Sequence, residues 1–199
     1  MVFKHLKLNK QLDNWEFDKI YPGSIRMISD KQWTSVDIAV SAALFLVTDK
    51  NTRVLDIGSG VGKFCLIGAT ITDAYFTGVE QRKELVDITN EIIDIYDIPN
   101  IKIIHSNIVD IEFSNYDAFY FFNPFQENID VSARIDNQVG MSDYLYDKYS
   151  NYVYKQLSLA KNGTRLVTYF GSENKVPDCY RLKETKHDNE LKFWIKNDA

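Results

Sequence analysis

Short apolar runs alternate along this chain with longer stretches whose apolar residues recur every three or four positions. The first kind reads as buried strand, the second as amphipathic helix. Strands are predicted at Arg53 to Ile57, Ala74 to Val79, Ile101 to His105, Asp117 to Phe122 and Thr164 to Phe170. Helices are predicted between them, from Lys63 to about Ile71, Arg82 to Tyr96 and Ser142 to Ala160. In the second of these, Leu85, Ile88, Ile92 and Ile95 stand at helical spacing with acids opposite. Pro99 closes that region, and Asn162–Gly163 ends the tyrosine-rich third helix. An earlier apolar helix runs through Val47, with Thr34 as its expected N-cap and Asp37 completing a capping box. Two last strands, Tyr180–His187 and Leu191–Lys196, flank Asp188–Asn189–Glu190 as a hairpin.

Strands alternating with helices imply βαβ units, hence an α/β fold with a mostly parallel sheet and helices on both faces. The expected architecture is a Rossmann-like three-layer sandwich of seven strands, with the C-terminal antiparallel hairpin at one edge. No repeat or linker divides the chain, so one domain is expected: an irregular arm over residues 1–33, packed on a core over 34–199. Trp15, Phe17, Tyr21 and Trp33 argue that the arm packs and helps shape a cleft. Ligands in such sheets bind beyond the carboxyl ends of the strands, where strand order reverses.

Chemistry concentrates in those loops. Asp56–Ile57–Gly58–Ser59–Gly60–Val61–Gly62 joins the first strand to a helix. Glycines there let the backbone turn tightly and approach a ligand without Cβ interference. Three alternating glycines with an acid favour a nucleotide-like ligand over a bare turn. A dinucleotide fingerprint would need glycine at position 63, where Lys63 stands. Adenosylmethionine has no pyrophosphate to seat, but its ammonium and sulfonium suit an acid at the strand end. Glu80, with Gln81 after it, ends the second strand, where a carboxylate can accept both ribose hydroxyls. The alternative is an acid favoured by a helix dipole. After the third strand, Ser106–Asn107–Ile108 offers an amide and a backbone N–H for adenine, or is a polar turn. After the fourth comes Phe121–Phe122–Asn123–Pro124–Phe125, a candidate reaction loop or an Asn-Pro turn.

Together these segments resemble the class I (Rossmann-like, seven-stranded) S-adenosylmethionine-dependent methyltransferases over about residues 34 to 196, most specifically in VLDIGSGVGKF. The resemblance implies S-adenosyl-L-methionine as cofactor. Asp56, Gly58, Ser59, Gly60 and Gly62 would surround its methionine end, Glu80 and Gln81 its ribose, and Asn107 with Ile108 its adenine. Asn123–Pro124–Phe125 resembles a truncated Asn/Asp-Pro-Pro-aromatic motif of amino-directed methyltransferases. That implies a catalytic Asn123 beside the methyl, aimed by Pro124, with Phe125 as a flat wall for an amine or amide nitrogen. DIGSGVGK is also similar to the turn of histone-directed class I lysine methyltransferases, so a protein amine is an alternative acceptor. A non-catalytic adenosylmethionine-binding domain is another.

Composition narrows the partners. A formal charge of −5 argues against a broad basic face for duplex nucleic acid, so a protein or small molecule is the expected acceptor. Two cysteines, Cys65 and Cys179, make neither a zinc spacing nor an expected disulfide. His5, His105 and His187 form no cluster, and no metal is expected. The amino terminus lacks a signal-peptide core, and the longest purely apolar run, Ala42 to Val47, is far too short to span a bilayer. A cytoplasmic protein is expected.

Overall fold

The structure, a computed structural model, describes residues 2–8, 10–171 and 175–197. The arm is helical, not irregular as expected: α1 (Val2–Lys7), α2 (Asn14–Asp18), α3 (Gly23–Met27) and α4 (Ser29–Gln32). Each piece is too short to display a helical period in sequence, and packing stabilises it instead. Phe3, Leu6, Phe17, Tyr21, Ile25 and Trp33 are buried, whereas Trp15 stands exposed.

The core follows as α5 (Val36–Leu46), β1 (Arg53–Ile57), α6 (Lys63–Ile71), β2 (Tyr75–Glu80), α7 (Lys83–Tyr96), β3 (Ile101–His105), β4 (Ala118–Phe122), α8 (Asp143–Leu159), β5 (Arg165–Tyr169), β6 (Tyr180–Lys186) and β7 (Leu191–Lys196). Every strand lies within one residue of its expected bounds. The N-cap of α5 does not. Ser35 holds that position, its hydroxyl donating to Asp37, while Thr34 turns inward to the Tyr120 hydroxyl at 2.8 Å. The first helical N–H of α5 donates instead to the Asn14 side chain of the arm, at 2.8 Å. A long-range cap has replaced the local one.

The seven strands run in the order β3-β2-β1-β4-β5-β7-β6, all parallel except β7. The terminal hairpin sits at one edge as expected, with β7 slotted between β5 and β6. Alternation along the strands divides the core in two. Val54, Tyr120, Val167 and Phe193 face α5, α6 and α7 with the arm. Leu55, Ile57, Phe119, Phe121, Leu166 and Trp194 face α8 and its Tyr149, Val153 and Leu157. Among the described residues, no helix is long and apolar enough to cross a membrane.

Candidate functional site

Strand order reverses between β1 and β4, so the loops leaving their carboxyl ends diverge and open a crevice. Gly58, Gly60 and Gly62 all hold positive φ, at 77°, 54° and 68°, which disfavours any side chain. Each also makes room for a different neighbour. A Cβ on Gly58 would stand 2.5 Å from Pro124, one on Gly60 2.4 Å from the Trp33 ring, and one on Gly62 2.5 Å from Thr89. The loop after β4, the arm and α7 therefore all close upon one turn.

A cleft results, bordered by Gly58 and Gly60, by Glu80 and Gln81, by Ser106 and Ile108, and by Asn123 and Pro124. Lys31, Gln32 and Trp33 of the arm and Ala133, Ile135 and Met141 from the excursion between β4 and α8 complete it. A smaller cavity continues past Trp33 and Gly58 to Asp56, Ser59, Thr34 and Phe122. The turn is thus flanked by a larger compartment and a smaller one that holds Asp56.

Asp56 is buried, and its Oδ2 accepts from the Cys65 thiol at 3.5 Å. Burial lifts its carboxyl to about 8; the thiol contact pulls it back and the charge of Glu80 adds to the rise. Without a cation beside it, Asp56 is mostly protonated at neutral pH. Glu80 is buried too, accepting from the Gly60 N–H at 3.1 Å and the Arg82 N–H at 2.8 Å. Burial raises Glu80, while those N–H groups and the Arg82 guanidinium hold it back. The backbone N–H groups of Gly60, Gln81 and Arg82 leave the carboxylate capacity for a further donor. The Ser59 hydroxyl is buried without a hydrogen-bond partner.

Not every expected residue borders the cleft. Asn107 does not: its carbonyl caps Val109, and its amide donates to Gln81 at 3.0 Å and to the Tyr149 hydroxyl at 2.9 Å. Ser106 and Ile108 border it instead. Gly62 packs on α7, away from the opening. Phe125 touches the cleft, but its ring lies in the core against Tyr149, 5.5 Å between centroids, so it offers an edge rather than a free wall. Asn123 reaches the opening with a positive φ of 38°, a strain that asparagine tolerates better than most residues. Its amide donates to Gln126 at 3.1 Å, and its carbonyl oxygen stands 3.5 Å from the Lys175 ammonium.

The structure adds Arg82, Lys31, Gln32, Glu127 and Lys63 to the residues bordering these cavities. Lys63, read in sequence only as a glycine that is missing, is buried and ion-paired with Asp18 at 2.7 Å. Asn14 and Ser29 also receive its ammonium, at 3.2 and 3.5 Å, while the Tyr21 hydroxyl donates to the Val61 carbonyl. A lysine directly after the glycine turn was the available signal. Among the described residues both thiols are free, and no group of three His, Cys, Asp or Glu side chains is placed to hold a metal.

Sheet order and cleft define the class: a Rossmann-like α/β protein of class I methyltransferase architecture. A family model described as a methyltransferase domain matches residues 48–197, and the chain belongs to that family. It is a methyltransferase of the S-adenosylmethionine-dependent class that its glycine turn resembled. No curated protein matches the sequence. Among solved structures, an RNA methyltransferase from Salinibacter ruber in complex with S-adenosyl-L-homocysteine is similar at a TM-score of 0.57 and 16% identity, covering 82% of this chain and 91% of that one. A SAM-dependent O-methyltransferase from Thermotoga maritima gives 0.57 and 15%, covering 89% and 72%. TrmN from Thermus thermophilus gives 0.60 and 13%, covering 82% of this chain but 49% of its own. Likeness at these identities establishes the fold.

Proposed function

We propose that this chain transfers a methyl group from S-adenosylmethionine to an amine or amide nitrogen, in a cleft that also holds the cofactor. The observation that carries the reading is the seating of Pro124 on Gly58. It presses the loop after β4 against the glycine turn and holds Asn123 at the junction of cleft and turn.

In this reading Asp56 and Ser59 meet the methionine end from the smaller cavity, and Gly58 and Gly60 admit its backbone-hugging path. Glu80 accepts from the ribose hydroxyls, beside Gln81. Ile108 and Ser106 meet adenine, and Asn107 serves from behind by fixing Gln81. Gly62 lets α7 close on the turn. The bound cofactor supplies a methyl already electrophilic at its sulfonium. What the protein adds is position: Asn123 accepts a hydrogen bond from the acceptor nitrogen and turns its lone pair inward. The Lys175 ammonium stands 3.5 Å from the Asn123 carbonyl, so this oxygen can receive an amine, which supports a lysine amine as second reading. The net charge of −5 supports a protein or small-molecule acceptor over a duplex. The similar proteins include an RNA methyltransferase and an O-methyltransferase, so they do not choose.

Titration calorimetry with S-adenosylhomocysteine tests the cofactor half. Micromolar affinity is expected, roughly −8 kcal/mol, with Asp56→Ala and Glu80→Ala each at least about tenfold weaker. Unchanged affinity in both variants removes the site assignment. The acceptor half is tested by methyl-labelled cofactor with fractionated cell extract, scored for protein, nucleic-acid and small-molecule products. Asn123→Ala should then lose roughly 10²-fold in single-turnover rate while cofactor affinity holds. Wild-type turnover by Asn123→Ala would reduce the residue to a strand-end turn. Cofactor binding with no labelled product would favour a non-catalytic domain.

A further inference from the structure

The excursion between β4 and α8 contains only short 3-10 turns, among them Gln126–Asn128 and Val131–Ala133. Its apolar anchorage lies at Phe125 and Ile135, whereas no residue of the second turn is buried and Ile129 and Val131 point to solvent. Segments of this kind open readily unless polar contacts restrain them. Yet Ala133, Ile135 and Met141 from this excursion border the cleft.

The restraint on one side is Arg82, directly after β2. Although charged, it is buried. Its Nη2 donates to Glu127 Oε2 at 2.7 Å and its Nε to the Asp136 carboxylate at 3.1 Å. Its Nη1 stands 3.7 Å from Glu80, which also accepts from the Arg82 and Gly60 backbone N–H groups. Glu127 Oε2 also accepts from the Ile135 N–H at 2.8 Å, so the guanidinium grips a loop that is already closed on itself. Burial disfavours the charge of Arg82, but Glu127, Asp136 and Glu80 outweigh it and hold its pKa above the ordinary value. On the other side the arm grips the same loop, with Lys31 donating to the Ser132 carbonyl and Gln32 to that of Ala133.

We infer that Arg82 is a positioning residue of this cleft: its side chain holds residues 126–136 down as a roof, and its backbone N–H aims Glu80 beneath that roof. The inference rests on the cleft being the cofactor site. Its planar fork reaches partners that a lysine ammonium cannot satisfy together. Loss of the guanidinium therefore frees the roof and removes the cation nearest Glu80, and a bound cofactor escapes sooner.

Two measurements on the full chain keep the inference and the site reading apart. Hydrogen exchange without cofactor follows the amides of residues 126–136. Arg82→Met should speed their exchange at least tenfold while strand amides of β1 and β4 stay protected, and Arg82→Lys should recover only part of the protection. Asp136→Asn, which removes one partly exposed partner, should give a smaller rise, and it decides the matter if Arg82→Met fails to fold. Stopped-flow dissociation of S-adenosylhomocysteine should be tenfold faster in Arg82→Met, with Arg82→Lys between. Roof amides that exchange at the wild-type rate in every folded variant overturn the inference. A roof that opens in the variants of a wild-type protein with no affinity for S-adenosylhomocysteine sustains the latch and overturns the cofactor reading.

Discussion

At the scale of single residues, the three glycines and Asp56 do different work from one another. Gly58, Gly60 and Gly62 each accommodate a neighbouring side chain as well as a left-handed backbone, so their spacing encodes packing and ligand approach together. Asp56 is tuned by burial to about 8 from an ordinary 3.8. Between those values the folded chain keeps a proton that the unfolded chain has released. This group alone therefore makes the fold less stable as pH rises from 3.8 to about 8, with no further change above. A cofactor ammonium beside Asp56 favours the ionised carboxylate, so binding below pH 8 should release a proton. Calorimetry in two buffers of different ionisation enthalpy measures that release. Affinity should strengthen toward pH 8 and then level off, and Asp56→Asn should abolish the dependence. A pH-independent affinity in the wild type would place the cofactor ammonium elsewhere.

The arm shows what happens at the scale of elements. Asn14 caps α5, Asp18 pairs with Lys63, Tyr21 donates to Val61 and Trp33 covers Gly60, so the arm embraces the starts of α5 and α6 and the glycine turn. Burial lowers the pKa of Lys63, and Asp18 pulls it back. Lys63→Met leaves Asp18 buried without its partner, a change expected to cost about 3–5 kcal/mol in urea denaturation. Adding Asp18→Leu should restore much of the loss, since a well-packed apolar pair replaces a buried ion pair at little cost. A single variant as stable as wild type would make the pair incidental. Because Lys31, Gln32 and Trp33 border the cleft, limited proteolysis within residues 1–33 should also slow when cofactor is added.

Across the whole molecule, two cores share one sheet. The face toward α6 and the face toward α8 meet in β1, β4 and β5, whose successive side chains serve one and then the other. Damage to either face is therefore expected to weaken one cooperative unit, as a single domain requires. Leu66→Ala on one face and Leu157→Ala on the other should each cost about 2–5 kcal/mol. In both, far-ultraviolet circular dichroism and tryptophan fluorescence should report coincident transitions. Separate transitions for the two faces would divide the chain into independently folding parts.

The strands, the helices between them and the acid-glycine turn were legible because their signals are local. A strand buried on both faces reads as an apolar run, and a tight left-handed turn favours glycine. That was enough for the α/β class, the seven strands and the loops where the cleft opens. Only the tertiary structure decided that Asn14 rather than Thr34 caps α5, that Phe125 belongs to the core, and that Asn107 faces Gln81 and Tyr149. The arm helices and the Arg82 cluster also emerged only there. Each depends on partners tens of residues away, Asp18 for Lys63 and Glu127 and Asp136 for Arg82. A buried charge leaves no periodic trace in sequence, because what permits its burial is a partner that folding alone brings near.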